Sequence, residues 1–494
     1  MLLLTPDQMR AVDAAAGAGA AGALMRNAGA RVAEIARHYA RSGRMVAFAG
    51  SGNNGGDAFA ALARLAPSFA CVVYAEAALR SSEARAEAEA EARSAGVRFE
   101  PLPEDAAGAQ SAVAGCGLLL DGLLGTGGRL PLPANYEPLV RAMNGANAPV
   151  IAIDVPTGVD ALTGRISNLA VRARATVALG AAKPGLLLEP GRDCAGTLHI
   201  VEIGLPVEAM AAQAPLFAAL DDDAFLAMLP PRPLDADKRG AGAPLLLAGS
   251  QQFPGAAVLC ARGAARAGAG YVTVATPKRA AGAVRAHLIE QIVLSFDDEG
   301  SVEECIGELV DAARHATAIA MGPGLGLDDR TGEIVRGLAD RVDLPIVADA
   351  GALFHFAKHL DILRGKRCVL TPHAGEFARL SGKGSVGTHE RVERLREFVD
   401  RTGIASLLKG RTTLIYDGAT MHITTSGDPA LATAGTGDVL TGMIATLLAQ
   451  GLAPVDAARA GAYWHGLAGQ YCARRRRVGV IAGDLPEALA AALP

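Results

Sequence analysis

Near the end of the chain, Gly435-Thr436-Gly437-Asp438 is followed at once by the apolar run 439–448, a combination suited to holding phosphate. Glycines let the backbone approach an anion, and a helix N-terminus presents unpaired N–H groups and a partial positive charge. Asp438 stands where a hydroxyl would meet that phosphate, so its carboxylate has a use as a base; aspartate is equally a residue that caps helices. Three further loops bring matching chemistry: Met321-Gly322-Pro323-Gly324-Leu325-Gly326, Thr371-Pro372-His373-Ala374-Gly375-Glu376 and Lys409-Gly410-Arg411-Thr412-Thr413, each after a β-rich run. Lys409 offers a point charge, Thr412 and Thr413 hydroxyls, and Glu376 a carboxylate able to hold Mg²⁺ through water. A bare turn, a loop histidine and a surface lysine are the plain alternatives for each alone. Together with 435–438 they point to a ligand site in which Asp438 takes a proton from a substrate hydroxyl as a phosphoryl group arrives.

A second constellation lies upstream. The run 45–49 leads into Gly50-Ser51-Gly52-Asn53-Asn54-Gly55-Gly56-Asp57, read as a strand, a nucleotide-cradling turn and then a helix. Asp121-Gly122-Leu123-Leu124-Gly125-Thr126-Gly127-Gly128 and Asp154-Val155-Pro156-Thr157-Gly158 follow two more apolar runs. Three loops from one sheet edge, carrying Asn54, Asp121 and Thr157, could coordinate a hard cation through oxygen; either aspartate could instead cap a helix.

The elements that must carry these loops alternate strand with helix. Strands are expected at 45–49, 71–74, 118–121, 150–154, 176–179 and 198–203, and again at 245–248, 271–275, 318–321, 346–348, 368–371, 406–409 and 413–416. Such alternation predicts mostly parallel sheets covered on both faces, with ligands at the strands' carboxyl ends. Charges at Asp221-Asp222-Asp223 and prolines at Pro230, Pro231 and Pro233 place a linker near 215–235, and domains at 1–220 and 230–494. Gly17-Ala18-Gly19-Ala20-Ala21-Gly22 matches GxGxxG, but no strand precedes it, and no Walker-A sequence is present.

Half of the 494 residues are apolar, and Gly, Pro or charge interrupts every long apolar stretch, which favours a soluble enzyme over a membrane span. Thr5-Pro6-Asp7-Gln8 reads as a helix start rather than part of a signal peptide. Seven dispersed cysteines without a CxxC pair argue against a disulfide framework or zinc site and for a reducing, cytoplasmic setting. A net charge of −4 predicts no nucleic-acid surface; the basic run Arg474-Arg475-Arg476-Arg477 reads as a solvated segment.

The strings NNGGD (53–57), DGLLGTG (121–127), DVPTG (154–158) and KPGLLLEPGRD (183–193) resemble the NAD(P)H-hydrate epimerase domains over about 1–215. The resemblance implies a Rossmann-like doubly wound sheet. In it Asn53, Asn54, Gly55, Gly56, Asp57, Gly125, Thr126, Gly127, Gly128, Arg129, Leu130, Pro131, Tyr136 and Asp154 would hold the hydrated dinucleotide, Asn54, Asp121 and Thr157 a potassium ion, and Asp121 would be the acid/base. From 235 to 490 the chain resembles the ribokinase-like superfamily, and within it the ADP-dependent NAD(P)H-hydrate dehydratases. That implies an α/β sandwich in which Ala256, Gly324, His373 and Asp438 contact the hydrate, while Lys409, Gly410, Arg411, Thr412, Thr413 and Gly437 contact ADP with Mg²⁺. The two domains together resemble the bifunctional repair enzymes, acting on NADHX and NADPHX, without nucleic-acid or membrane partners and as a homo-oligomer. A ribokinase-like kinase of a vitamin alcohol, with a non-catalytic N-terminal module, is the alternative. The chain departs from the families' patterns at Ala58 and Phe59 (GDG is usual), at Thr157 (serine is usual), at Gly351 and Phe354 (DADALN is usual) and at Ala374 (HPGE is usual).

Overall fold

The computed structural model describes residues 1–77, 82–128, 130–232, 237–476 and 478–494. The expected ligand Arg129, the linker residue Pro233 and Arg477 of the basic run therefore lie outside the described residues. The chain divides into two compact units, Leu2–Phe217 and Ala218–Pro494.

In the first unit the strands are β1 (Arg44–Ala49), β2 (Cys71–Ala75), β3 (Arg98–Pro101), β4 (Cys116–Gly122), β5 (Val150–Ile153), β6 (Ala175–Leu179) and β7 (Thr197–Val201). They pair in the order β3-β2-β1-β4-β5-β6-β7, all parallel. The order reverses between β1 and β4, the switch point at which two loops diverge and leave a crevice. Asn54 at the start of the helix after β1, Asp121 near the carboxyl end of β4 and Asp154 just after β5 lie at the ends of three adjacent strands. Central strands such as β5 and β6 are buried throughout, as a sheet covered on both faces requires.

In the second unit β8 (Pro244–Leu247), β9 (Thr273–Pro277), β10 (Ile292–Phe296), β11 (Ala318–Met321), β12 (Ile346–Ala348), β13 (Cys368–Leu370), β14 (Ala405–Leu408), β15 (Leu414–Tyr416) and β16 (Met421–Ile423) pair in the order β16-β15-β14-β13-β12-β11-β8-β9-β10. Pairing is parallel except at β14–β15 and β15–β16. Its switch point falls between β8 and β11. The doubly wound and ribokinase-like α/β expectation is met, and every expected strand is found within two residues at each end.

Helix α1 (Asn53–Leu65) starts earlier than expected. Asn53 to Asp57 are its first five residues, with Gly52 as cap, rather than a loop ahead of it. A Cβ on Gly55 would stand 2.1 Å from the Gly50 carbonyl oxygen, so only glycine lets this turn fold back over the strand end. In the second unit, α2 (Pro254–Arg266) packs against α4 (Thr436–Ala449), with α3 (Ala374–Ser381) between them in the chain. A Cβ on Gly442 would lie 1.9 Å from the Cys260 carbonyl oxygen, and one on Gly263 2.5 Å from that of Val439. The two backbones therefore touch, which fixes the first turn of α4 and with it Asp438. Gly442→Leu is expected to lower unfolding free energy by about 3 kcal/mol, because backbone cannot yield as a side chain can. An unchanged urea midpoint would count against this contact as the fixing element.

Candidate active sites

The switch point of the first sheet opens into a cavity of about 600 Å³. Its wall includes Asn53 and Asn54 from α1, Gly125 to Gly128 from the loop after β4, Tyr136, and Asp154 after β5; Leu130 and Pro131 do not line it. At its base Asp154 adopts φ 67°, one of two non-glycine residues with positive φ among those described, a conformation that persists only where neighbours enforce it. The enforcing group is Lys183, wholly buried, whose Nζ lies 2.5 Å from Asp154 Oδ1 and 3.0 Å from the Leu179 carbonyl oxygen. Thr126 donates both its N–H, at 3.1 Å, and its hydroxyl to Asp154 Oδ2. Burial alone would raise the Asp154 pKa, but Lys183 and Thr126 outweigh it and hold the carboxylate below its usual range.

Asp57 faces the same cavity and is 8% exposed, with no hydrogen bond to its carboxyl among the described residues. Burial first, then Asp154 and Asp13, push its pKa well above the carboxylate norm; Lys183 opposes them without prevailing. The pKa of Asp13, on the same cavity, is likewise raised by burial. Asp121 is placed differently. It is 0% exposed and behind the cavity wall, accepting from Thr157 Oγ1 at 2.7 Å, Thr157 N at 2.8 Å and Leu123 N at 3.4 Å. Burial lifts it to about 6 against those three bonds. Asp121, the acid/base that the family resemblance implies, thus stands behind the cavity wall with its carboxyl turned to Thr157 and Leu123. Its place as a cation ligand does fit. Asn54 Oδ1 and Nδ2 are buried without partners, and a Cβ on Gly125 would stand 3.1 Å from the Asn54 carboxamide carbon, so an orphaned oxygen shares this wall with Asp121 and Thr157. Tyr136 donates to Glu76 Oε2 at 2.7 Å, which also takes the Ser51 N–H at 3.2 Å.

In the second unit Gly435 caps α4 with φ 91°, and Gly437 and Asp438 fall in the first turn. Lys409, after β14, donates to Asp349 Oδ1 at 2.6 Å; Asp349, after β12, takes the Thr441 hydroxyl on Oδ2 at 2.7 Å. Lys409 Nζ would lie 3.1 Å from a Cβ on Gly437, which sets an ammonium over the uncapped amide groups of α4. Burial and then Asp349 raise the Asp438 pKa to about 7, Lys409 notwithstanding. Beneath the turn, His465 is buried and its pKa is held at about 4, so the neutral ring donates from Nε2 to the Thr436 carbonyl at 3.0 Å. The loop of Lys409, Gly410, Arg411, Thr412 and Thr413 is braced from behind by Arg391, which donates to the Leu408, Lys409 and Thr412 carbonyls. Thr412 is wholly buried, and Thr413 donates to the Gly410 carbonyl at 3.2 Å. His373 is an exposed cap of α3, its Nδ1 accepting from Gly375 and Glu376. Ala256 and Gly324 meet where α2 approaches the loop after β11: a Cβ on Gly324 would be 2.7 Å from that of Ala256.

Comparison with known proteins agrees with this division. A family model described as NAD(P)H-hydrate dehydratase matches residues 244–491, and one described as YjeF-related protein N-terminus matches 21–185. The bifunctional NAD(P)H-hydrate repair enzyme of Salinibacter ruber is 39% identical over 380 residues, spanning 74% of this chain and 70% of that one. That of Pyrobaculum aerophilum is 35% identical over 475 residues, spanning 94% and 92%. The chain belongs to the bifunctional NAD(P)H-hydrate repair enzymes. Among solved structures, a ribokinase-like superfamily protein from Enterococcus faecalis matches with TM-score 0.50 and 27% identity, over 56% of this chain and 96% of that one. The family pairs an epimerase domain with a dehydratase domain, and the vitamin-kinase alternative is set aside.

Sequence reasoning missed Lys183 as a charge partner, Asp13, Thr441, His465 and the brace Arg391. Lys183 stood in a quoted string, but only its burial next to Asp154 reveals its role. Lys183→Met strips the countercharge from a buried carboxylate, a change that costs about 3–5 kcal/mol. Asp154 has a depressed folded pKa, so the pair stabilises above the unfolded value of 3.8 and the contribution fades as pH falls through the folded one. Thermal unfolding should therefore show a large deficit at neutral pH that shrinks in acid; a deficit constant with pH would contradict the pairing.

Proposed function

We propose that the second unit dehydrates NADHX and NADPHX at the expense of ADP and that the first interconverts their R and S epimers. The observation that carries the reading is Asp438, a carboxyl poised near neutrality in the first turn of a helix beneath Lys409. Hydroxide is a poor leaving group. Asp438 accepts the proton of the 6-hydroxyl while its oxygen attacks the β-phosphorus of ADP, forming a phosphate ester and releasing AMP. The α4 amide groups and Lys409 stabilise the charge on the phosphoryl oxygens. The ring-nitrogen lone pair then expels phosphate, and loss of the carbon 5 proton restores the double bond. One in-line geometry admits one epimer, which is the reason for an epimerase in the same chain.

Asp349 and Glu376 both raise the Asp438 pKa electrostatically, so hard oxygen donors converge here and fit Mg²⁺. Among the described residues no three His, Cys, Asp or Glu side chains form a metal cage, so nucleotide phosphates would complete the coordination, and the ion would screen charge between donor and acceptor. In the first unit Asn54, Asp121 and Thr157 would hold K⁺, which would fix the loops after β4 and β5. Asp57, a cavity carboxyl whose pKa is raised, is the acid of reversible opening at carbon 6, and Tyr136 and Thr126 line the substrate's bed. Seven free cysteines support a reducing, cytoplasmic setting, and among the described residues no helix is long and apolar enough to cross a membrane.

Incubation with hydrated NADH and ADP should restore NADH absorbance, with ATP compared in parallel; no restoration with either nucleotide would end the dehydratase reading. Only ionised Asp438 accepts a proton, so kcat/KM should rise with pH through about 7. Asp438→Asn should lose about 10²-fold or more and that pH limb with it. For the epimerase, Asp57→Asn should abolish conversion of the R epimer while leaving dehydration of the S epimer intact. Retained R conversion in that variant would return the acid's role to another group.

A further inference from the structure

The switch point of the second sheet holds a cavity of about 250 Å³; of the loops singled out from the sequence, only the one after β11 reaches it, through Leu325 and Gly326. Loops after β8, β9, β10 and β11 enclose it. Leu247, Phe296 and Leu325 give it an apolar floor, and Gln251, Gln252 and Asp298 stand at its polar side. Asp298 takes Arg279 on Oδ2 at 2.7 Å, but its Oδ1 is buried without a partner. An acceptor left open in a half-apolar pocket calls for a ligand bearing hydroxyls and a flat apolar face.

From this cavity α2 leads straight to the reaction centre. It opens at Pro254 with no side-chain cap on its first amide groups, and a Cβ on Gly255 would meet nothing within 4 Å. One turn on, Ala256 meets Gly324; further on, Leu259 touches Gly435, a Cβ there lying 2.6 Å from Leu259 Cδ1. Seven residues separate Gln252 from Leu259, about 10 Å along a helix. A pyrophosphate bridge laid on the open first turn of α2 would span that gap and meet a favourable dipole.

Resting on the dehydratase reading, we infer that this cavity is the subsite for the adenosine half of the hydrated dinucleotide. The purine lies on the apolar floor, a ribose hydroxyl donates to Asp298 Oδ1, and the pyrophosphate follows the start of α2 toward Asp438. The far half of the substrate thereby orients a ring that has few polar handles of its own.

The test compares hydrated NADH with hydrated reduced nicotinamide mononucleotide, which has the same reacting ring and no adenosine. With ADP, the unaltered protein should show kcat/KM at least about tenfold higher for the dinucleotide, a gap typical of a well-filled subsite. Gln252→Trp, at an exposed position on the cavity mouth, should bring that ratio toward one. A ratio near one in the unaltered protein, or a ratio that Gln252→Trp leaves intact, overturns the subsite while turnover itself still upholds the dehydratase reading. Absence of turnover with both substrates overturns both.

Discussion

Each unit of this chain is organised around an aspartate at a strand's carboxyl end, buried against one lysine. Asp154 with Lys183 serves the first and Asp349 with Lys409 the second. Such pairs gain little net stability, because desolvation offsets most of the attraction, yet losing one partner is costly. Their value is positional. Asp154 sits at φ 67° and the residue after Asp349, Ala350, at φ 45°, the two positive-φ non-glycine residues among those described. Strained backbone and buried charge coincide, and both fix loops that bound a cavity or an anion site.

Each pair also sets the proton affinity of a neighbouring acid. Asp57 lies close enough to Asp154, and Asp438 to Asp349, that the like charge adds to burial and raises the neighbour's pKa. The lysine cannot undo this, since it is already committed to its own partner. In both units the raised acid sits near the start of a helix with a glycine cap: Asp438 in the first turn of α4 after Gly435, and Asp57 one turn into α1 after Gly52. A helix N-terminus alone would lower the pKa. Desolvation and the like charge win, which is what a proton-transfer group near neutral pH requires.

Much of this was legible in the residues. Parallel strands buried on both faces read as short apolar runs, so β5, β11 and β12 stand out, whereas the strand order that sets the switch points appears only in the fold. The edge strands β3 and β10 were missed because Arg98, Glu100 and Ile292 are half or fully exposed and break the apolar pattern. Composition marked 50–57 as a turn because Asn and Gly favour turns; packing against Gly50 made its second half helical instead. The strand-end position of Asp121 suggests a cation ligand or a helix cap, and the family resemblance adds an acid/base role. Sequence spacing puts it at the right edge but cannot say whether its carboxyl faces the crevice or, as the three bonds from Thr157 and Leu123 dictate, the interior.

The departures from the family patterns gain a physical meaning from the same geometry. Ala58 lies inside α1, where a Cβ on Gly122 would come within 2.8 Å of its own, so it packs the helix against β4. Gly351 lies under the loop after β11: a Cβ there would be 3.0 Å from the Leu325 carbonyl oxygen and 3.2 Å from that of Gly322. A carboxylate at 351 would press on the backbone of the loop after β11. Meanwhile Asp349, two residues earlier, keeps both its partners, Lys409 and Thr441. Lys409 therefore keeps a buried carboxylate partner although the second acidic residue of the family pattern is missing.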